Sequence, residues 1–134
     1  MNIDISVLLV TGGQRNGSSD KLDSVEVLSA EGVPMDCSVP PLPAPRAMHT
    51  QDGLESCGGS SSKTSCVALS LTAGGWEVSR QLQQPRHGHS SWRSLMGGVL
   101  LIGGAAGSAS TTTEMLSPTD SSTSASIKLL YETQ

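Results

Sequence analysis

Phenylalanine is absent from the chain, and its aromatic residues are Trp76, Trp92 and Tyr131 alone. Few bulky side chains are therefore on hand to fill a core, and only 36% of residues are hydrophobic. This disfavours helical bundles and doubly wound enzymes, which need long apolar faces. Charge is also sparse, at 15% of residues with a net charge of −4. Nothing in that balance compensates phosphate, so nucleic acid and anionic membranes are not expected as partners. Long apolar runs are missing too. The strongest, Val7–Val10 and Val99–Ile102, are four residues each, against roughly 20 for a membrane span. No Lys or Arg precedes the first run and Asp4 interrupts its approach, so the start does not read as a secretory signal. The compartment stays undecided, with the cytoplasm favoured over secretion. Three cysteines, Cys37, Cys57 and Cys66, leave at least one thiol unpaired within a monomer. Their spacing contains no C-x2-C, so no metal site is expected, and no cofactor.

What the chain does have is punctuation. It holds 15 Gly, 7 Pro, 23 Ser and 10 Thr in 134 residues, a length that suits one ordinary domain. The glycines are not scattered. Apolar runs ending in Gly-Gly recur as LLVTGG at 8–13, LESCGG at 54–59 and VLLIGG at 99–104, with steps of 46 and 45 residues. A second element follows each pair: SVEVLS at 24–29, SCVALS at 65–70 and TTEMLS at 112–117. A third precedes two of them, PRAMHT at 45–50 and PRHGHS at 85–90. Order and content recur together, which marks an internal repeat.

Each repeat reads as short strands joined by turns. The runs Val7–Val10 and Val99–Ile102 look like buried strands. Gly-Gly after them supplies φ > 0 freedom for a tight corner, and Asn16-Gly17 is a turn dipeptide in the hairpin that follows. A third strand alternates through Val25, Glu26 and Val27, and a fourth is expected around 33–38, 76–80 and 127–132. No window of ten residues keeps a helical period.

As a set, the apolar run with Gly-Gly, the later strand, Gly75-Trp76 and Pro-Arg-x-x-His make the chain resemble kelch-repeat β-propellers. The resemblance implies an all-β fold, a partial (open) β-propeller of about three four-stranded antiparallel blades. Residues 1–44 would be a first, incomplete blade, 45–84 a second, and 85–134 a third lacking a ring-closing strand. It also implies that Arg-x-x-His opens the innermost strand, that Gly-Gly closes the second, and that Trp starts the fourth. The chain departs from the pattern where the third strands carry Leu28, Leu69 and Leu116 in place of Tyr, and where Met35 stands near the Trp position of the first repeat. About three blades fall short of the four to eight that close a ring, so self-association to complete the propeller is one expectation.

Candidate chemistry is thin. His49 and His89 fill the same slot in two repeats, which favours a structural role, as it does for Gly12, Gly13, Gly58, Gly59, Gly103, Gly104 and Trp76. His87 lies outside that pattern, and no Ser-His-Asp order or G-x-S-x-G elbow can be assembled around it. Gly12–Ser18 lacks the Gly-Lys of a phosphate loop and leads into a strand, so it reads as a hairpin. Cys57 and Cys66 fall on neighbouring strands, where a disulfide and two free thiols are both open. Asn16-Gly17-Ser18 fits the glycosylation pattern only if the chain is secreted. For binding, the candidates are Arg46, Arg86, Arg15 and Lys63, placed on one loop-bearing face. The competing reading has Arg46 and Arg86 capping backbone or pairing with Glu26 or Glu114.

The expected function is a non-catalytic interaction module binding a protein or peptide. Two alternatives stand beside it. One is a truncated product with no independent function. The other, a piece of a galactose-oxidase-like enzyme, is disfavoured because that chemistry needs two tyrosines and only Tyr131 is present.

Overall fold

The computed structural model describes residues 7–36, 38–60, 64–70, 72–95, 97–106, 109, 111–117 and 124–128, the last by backbone alone. They form an all-β chain of antiparallel sheets, with ten strands and no helix among the described residues. No helix there is long and apolar enough to cross a membrane. Strands β1 (Val7–Thr11) and β2 (Val25–Ser29) make a two-stranded sheet. A second sheet runs in order β3 (Thr50–Asp52), β4 (Glu55–Cys57), β5 (Ser65–Ser70), β6 (Gly75–Gln81). The third runs β7 (Ser90–Arg93), β8 (Val99–Ile102), β9 (Thr112–Leu116), β10 (Ser124–Lys128).

Local chemistry explains where strands stop. Gly12 and Gly13 end β1 at φ 60° and 110°, and Gly103 and Gly104 end β8 at 69° and 92°. The turn between β5 and β6 closes on Gly74, whose N–H donates to Ser70 O at 2.9 Å, with Ser70 Oγ accepting from Ala73 N. The 13–22 hairpin turns at Gly17 (φ 72°), its arms held by Arg15 N donating to Asp20 O and Leu22 N to Gly13 O.

Two expectations need correction. Among the described residues the first sheet has two strands and lacks the one expected around 33–38: residues 33–35 make an isolated bridge, Leu28 to Pro34, and two backbone bonds. Val33 N, which would extend the ladder, donates instead to the side chain of Ser29 at 3.3 Å. The fourth strand of the third sheet lies at Ser124–Lys128, and residues 129–134, with Tyr131, are outside the described residues.

The second correction concerns twin apolar runs with opposite fates. Val99 and Leu101 of β8 are fully buried, while Val7 and Leu8 of β1 are 50% and 56% exposed. β8 is flanked by β7 and β9, but β1 pairs with β2 alone. The buried core therefore sits at the second and third sheets, in Cys57, Cys66, Leu82, Val99, Leu101 and Leu116. Beside β1 an apolar cavity of ≈ 550 Å³ opens instead, between Val7, Leu8 and Leu9 on one side and Gly53, Leu54 and Leu69 on the other.

Candidate functional site

The repeated residues converge on the junctions between sheets. Arg46 and Arg86 are 2% and 0% exposed. Arg46 Nη1 donates to Gly58 O at 2.9 Å and to Ser65 O at 2.8 Å, and Nη2 donates to Ser65 Oγ at 3.0 Å. Arg86 repeats this one unit later: Nη1 to Gly103 O at 2.7 Å and Thr112 O at 2.9 Å, Nη2 to Thr112 Oγ1 at 2.8 Å. Each guanidinium fork thus ties a Gly-Gly corner to the start of the following strand. Its geometry suits this, because one planar group presents several fixed donors to converging carbonyls.

This overturns the placement of Arg46 and Arg86 on a binding face. Both are buried, and their hydrogen bonds are spent within the fold. Of the two carboxylates considered as partners, Glu114 is the one joined to Arg86, at 3.5 Å with both side chains fully buried. Glu114 Oε1 also accepts from Gln83 N at 2.6 Å. Burial lowers the pKa of Arg46 to about 10, which leaves it charged at neutral pH. Arg15 is exposed in the 13–22 hairpin. Lys63 lies outside the described residues.

The Gly58-Gly59 corner is gripped from two sides, and the other two double glycines are each gripped from one. A Cβ on Gly12 would stand 2.4 Å from Arg46 O and 2.9 Å from His49 Cε1; on Gly58, 2.6 Å from both Arg86 O and His89 Cε1. Those contacts come from the next Arg-x-x-His segment in the chain. The second glycine meets its own segment: Gly59 approaches Ala47 O at 2.9 Å and His49 Cβ at 3.0 Å, and Gly104 approaches His87 O and His89 Cβ, both at 2.9 Å. Backbone bonds follow suit, with Gly13 N donating to Arg46 O and Gly59 N to Arg86 O. Glycine is required at these corners for close approach as much as for φ.

The histidines act as neutral wedges. Thr11 Oγ1 donates its single proton to Gln51 Oε1 at 2.8 Å, so His49 must be the donor in its 3.0 Å bond to the same oxygen through Nε2. His89 Nε2 meets Thr50 Oγ1 at the same distance, 3.0 Å. Burial lowers the pKa of His49, helped by the Arg46 charge and partly opposed by a hydrogen bond at Thr11. Burial likewise pushes His89 down to about 4, with the Arg86 charge and His49 adding to it. Both groups are thus neutral when folded and bind protons more readily when unfolded. The stabilisation from His89 is complete above about pH 6.5 and is lost as pH falls toward about 4, and that from His49 is likewise lost in acid. Unfolding free energy measured in urea should drop by about 3 kcal/mol over that window for His89 alone. A flat profile would refute the neutral wedge, and His89→Gln should make the drop shallower, leaving the share of His49.

Cys57 and Cys66 face each other across β4 and β5, and a disulfide joins them with a Cα separation of 4.0 Å. Cys37 is outside the described residues. Reduction, or the double change Cys57→Ala with Cys66→Ala, should cost about 2–3 kcal/mol through the loop it closes. Melting temperatures with and without a phosphine reductant check this; identical values would contradict it. Glu55 lies within 4.8 Å of both sulfurs, but the sulfurs are bonded to each other and so do not offer thiolates to a metal.

Sequence reasoning missed one buried ionic group. Glu55 is 6% exposed on β4; its Oε2 accepts from Ser79 Oγ at 2.6 Å and Arg80 Nε at 3.0 Å. Arg80 also donates to Ser117 O, tying β6 to the end of β9. Glu55 stands where the other two runs carry aliphatic residues, and that was the available signal. Trp76, half-buried on β6, donates its indole N–H to Pro40 O at 2.8 Å, reaching the linker before Arg46.

No protein-family model matches the chain, and no curated protein sequence matches it.

Proposed function

We propose that the chain is a kelch-type β-propeller fragment of about three blades. In this reading it is a non-catalytic module that binds a protein or peptide through loops on one blade face. One observation carries the reading. The polar groups that recur with the repeat are consumed within the fold: Arg46 and Arg86 tie the Gly-Gly corner of their own sheet to its next strand, and His49 and His89 bond across to the preceding sheet. Such expenditure suits a scaffold, whose chemistry goes into rigidity while exposed loops carry contacts. The loop that fits best is the 13–22 hairpin, where Arg15 and Asn16 are exposed on a turn pinned by Gln14, Ser18 and Asp20. The expected partner is protein or peptide, with no nucleic acid or membrane involved.

Site-specific photo-crosslinking tests this reading. A photoreactive residue at position 15 should capture a partner saturably, and the same residue at Glu77, exposed on β6, should not. Equal capture at both positions, or none at position 15, would sink the loop-face reading.

A further inference from the structure

The three Gly-Gly corners are built alike, yet only two receive an Arg-x-x-His segment on their second glycine. Gly59 and Gly104 are pressed by Ala47–His49 and His87–His89, whereas a Cβ on Gly13 would meet nothing within 4 Å. The next amide shows the same asymmetry. Ser60 N donates to Ala47 O at 2.8 Å and Ala105 N to His87 O at 2.9 Å. Gln14 N, their counterpart, has no acceptor among the described residues. The receptor for the guanidinium is present as well. Ser65 O accepts from both Gly58 N and Arg46, while among the described residues Ser24 O accepts from Gly12 N alone, at 2.8 Å. Gly12 O and Ser24 Oγ have no donor among the described residues. Glu26, at the position of Glu114, stays exposed with no ion pair among the described residues.

Strand pairing completes the pattern. In the other two sheets the segment continues into β3 or β7, which pairs with β4 or β8. Among the described residues β1 has β2 on one edge and nothing on the other. The strand's side chains Val7, Leu8 and Val10 are themselves exposed. The two Arg-x-x-His segments of the sequence, at 46–49 and 86–89, are already seated on the Gly59 and Gly104 corners.

We propose that the free edge of β1 and the Gly12-Gly13 corner form an acceptor site for an extended segment of another polypeptide. That segment carries Arg-x-x-His and adds to β1 as an antiparallel strand. Its arginine donates to Gly12 O, Ser24 O and Ser24 Oγ and lies beside Glu26. The carbonyl of the next residue accepts from Gln14 N, and its histidine packs over Gly13. Main-chain pairing gives the affinity, as in other strand additions, and the arginine gives the register. This surface is distinct from the loop face, so either reading can fail without the other.

The probe is a fluorescent synthetic peptide with the sequence of Gln84–Arg93, titrated into the full chain. Saturable 1:1 binding is expected. Replacing the peptide's first arginine with alanine should weaken it at least about tenfold, since charge-assisted bonds to two carbonyls and a hydroxyl are lost. Glu26→Lys in the protein, at an exposed position, should weaken binding without changing the melting temperature. The Gln14 amide should shift on binding. Absence of saturation, equal binding of the alanine peptide, or shifts confined to β6 or β10 would overturn the proposal. A dimer in light scattering that the peptide dissociates would overturn the assignment to a foreign partner, because a second copy would then fill the site.

Discussion

Replacing Arg86 with alanine should destabilise the chain by about 4 kcal/mol, the largest loss expected of any side chain here. The guanidinium is fully buried and satisfies Gly103 O, Thr112 O and Thr112 Oγ1. Its removal also strands Glu114, itself 0% exposed. A buried carboxylate deprived of its cation must either stay charged in a poor dielectric or take up a proton, and both are costly. The mechanism predicts a rescue. Arg86→Met combined with Glu114→Leu removes both charges and should recover part of the loss. Urea denaturation of the two variants tests the point; a single-variant loss below about 1 kcal/mol would show that the clamp is dispensable.

Gly58→Ala should cost about 3 kcal/mol or more. Its backbone is left-handed at φ 67°, which alone disfavours a Cβ by about 1 kcal/mol. The remainder is crowding, because Arg86 O and the His89 ring would each lie 2.6 Å from the new carbon, and neither belongs to a flexible exposed side chain. Gly17→Ala separates the two contributions. Gly17 has a similar φ, 72°, but nothing within 4 Å of its Cβ position, so its change should cost only the backbone share. Equal losses at Gly58 and Gly17 would mean that the corner has room, contrary to the geometry.

The strand order and the corners were legible in the sequence because each depends on local chemistry. Gly-Gly after an aliphatic run, Asn16-Gly17 and the alternation at Val25–Val27 all act within a few residues. Burial was harder to read. Val7–Val10 and Val99–Ile102 are nearly the same string, yet one is exposed and the other forms core, because burial depends on which strand lies alongside. The arginines show the same limit. A loop arginine ordinarily reads as solvent-facing, and only the spatial convergence of Gly58 with Ser65, or Gly103 with Thr112, reveals a socket for it. One clue went unused. The third residue of each Arg-x-x-His segment is left-handed, Met48 at φ 57° and Gly88 at 65°, and Gly88 was visible as the residue type such a conformation prefers. Backbone bent that way at both segments aims it at the neighbouring corner, with Gly88 N donating to Met48 O.

Of the three like-built corners, two are filled by segments of the chain and one is open among the described residues. Native-state amide exchange reads all three in one experiment. The N–H groups of Ser60 and Ala105 should be protected by their bonds to Ala47 O and His87 O. Gln14 should exchange close to the unprotected rate, and should slow when the Gln84–Arg93 peptide is bound. Protection of Gln14 equal to that of Ser60 in the free chain would contradict the open corner, and fast exchange at Ser60 and Ala105 would contradict the filled ones.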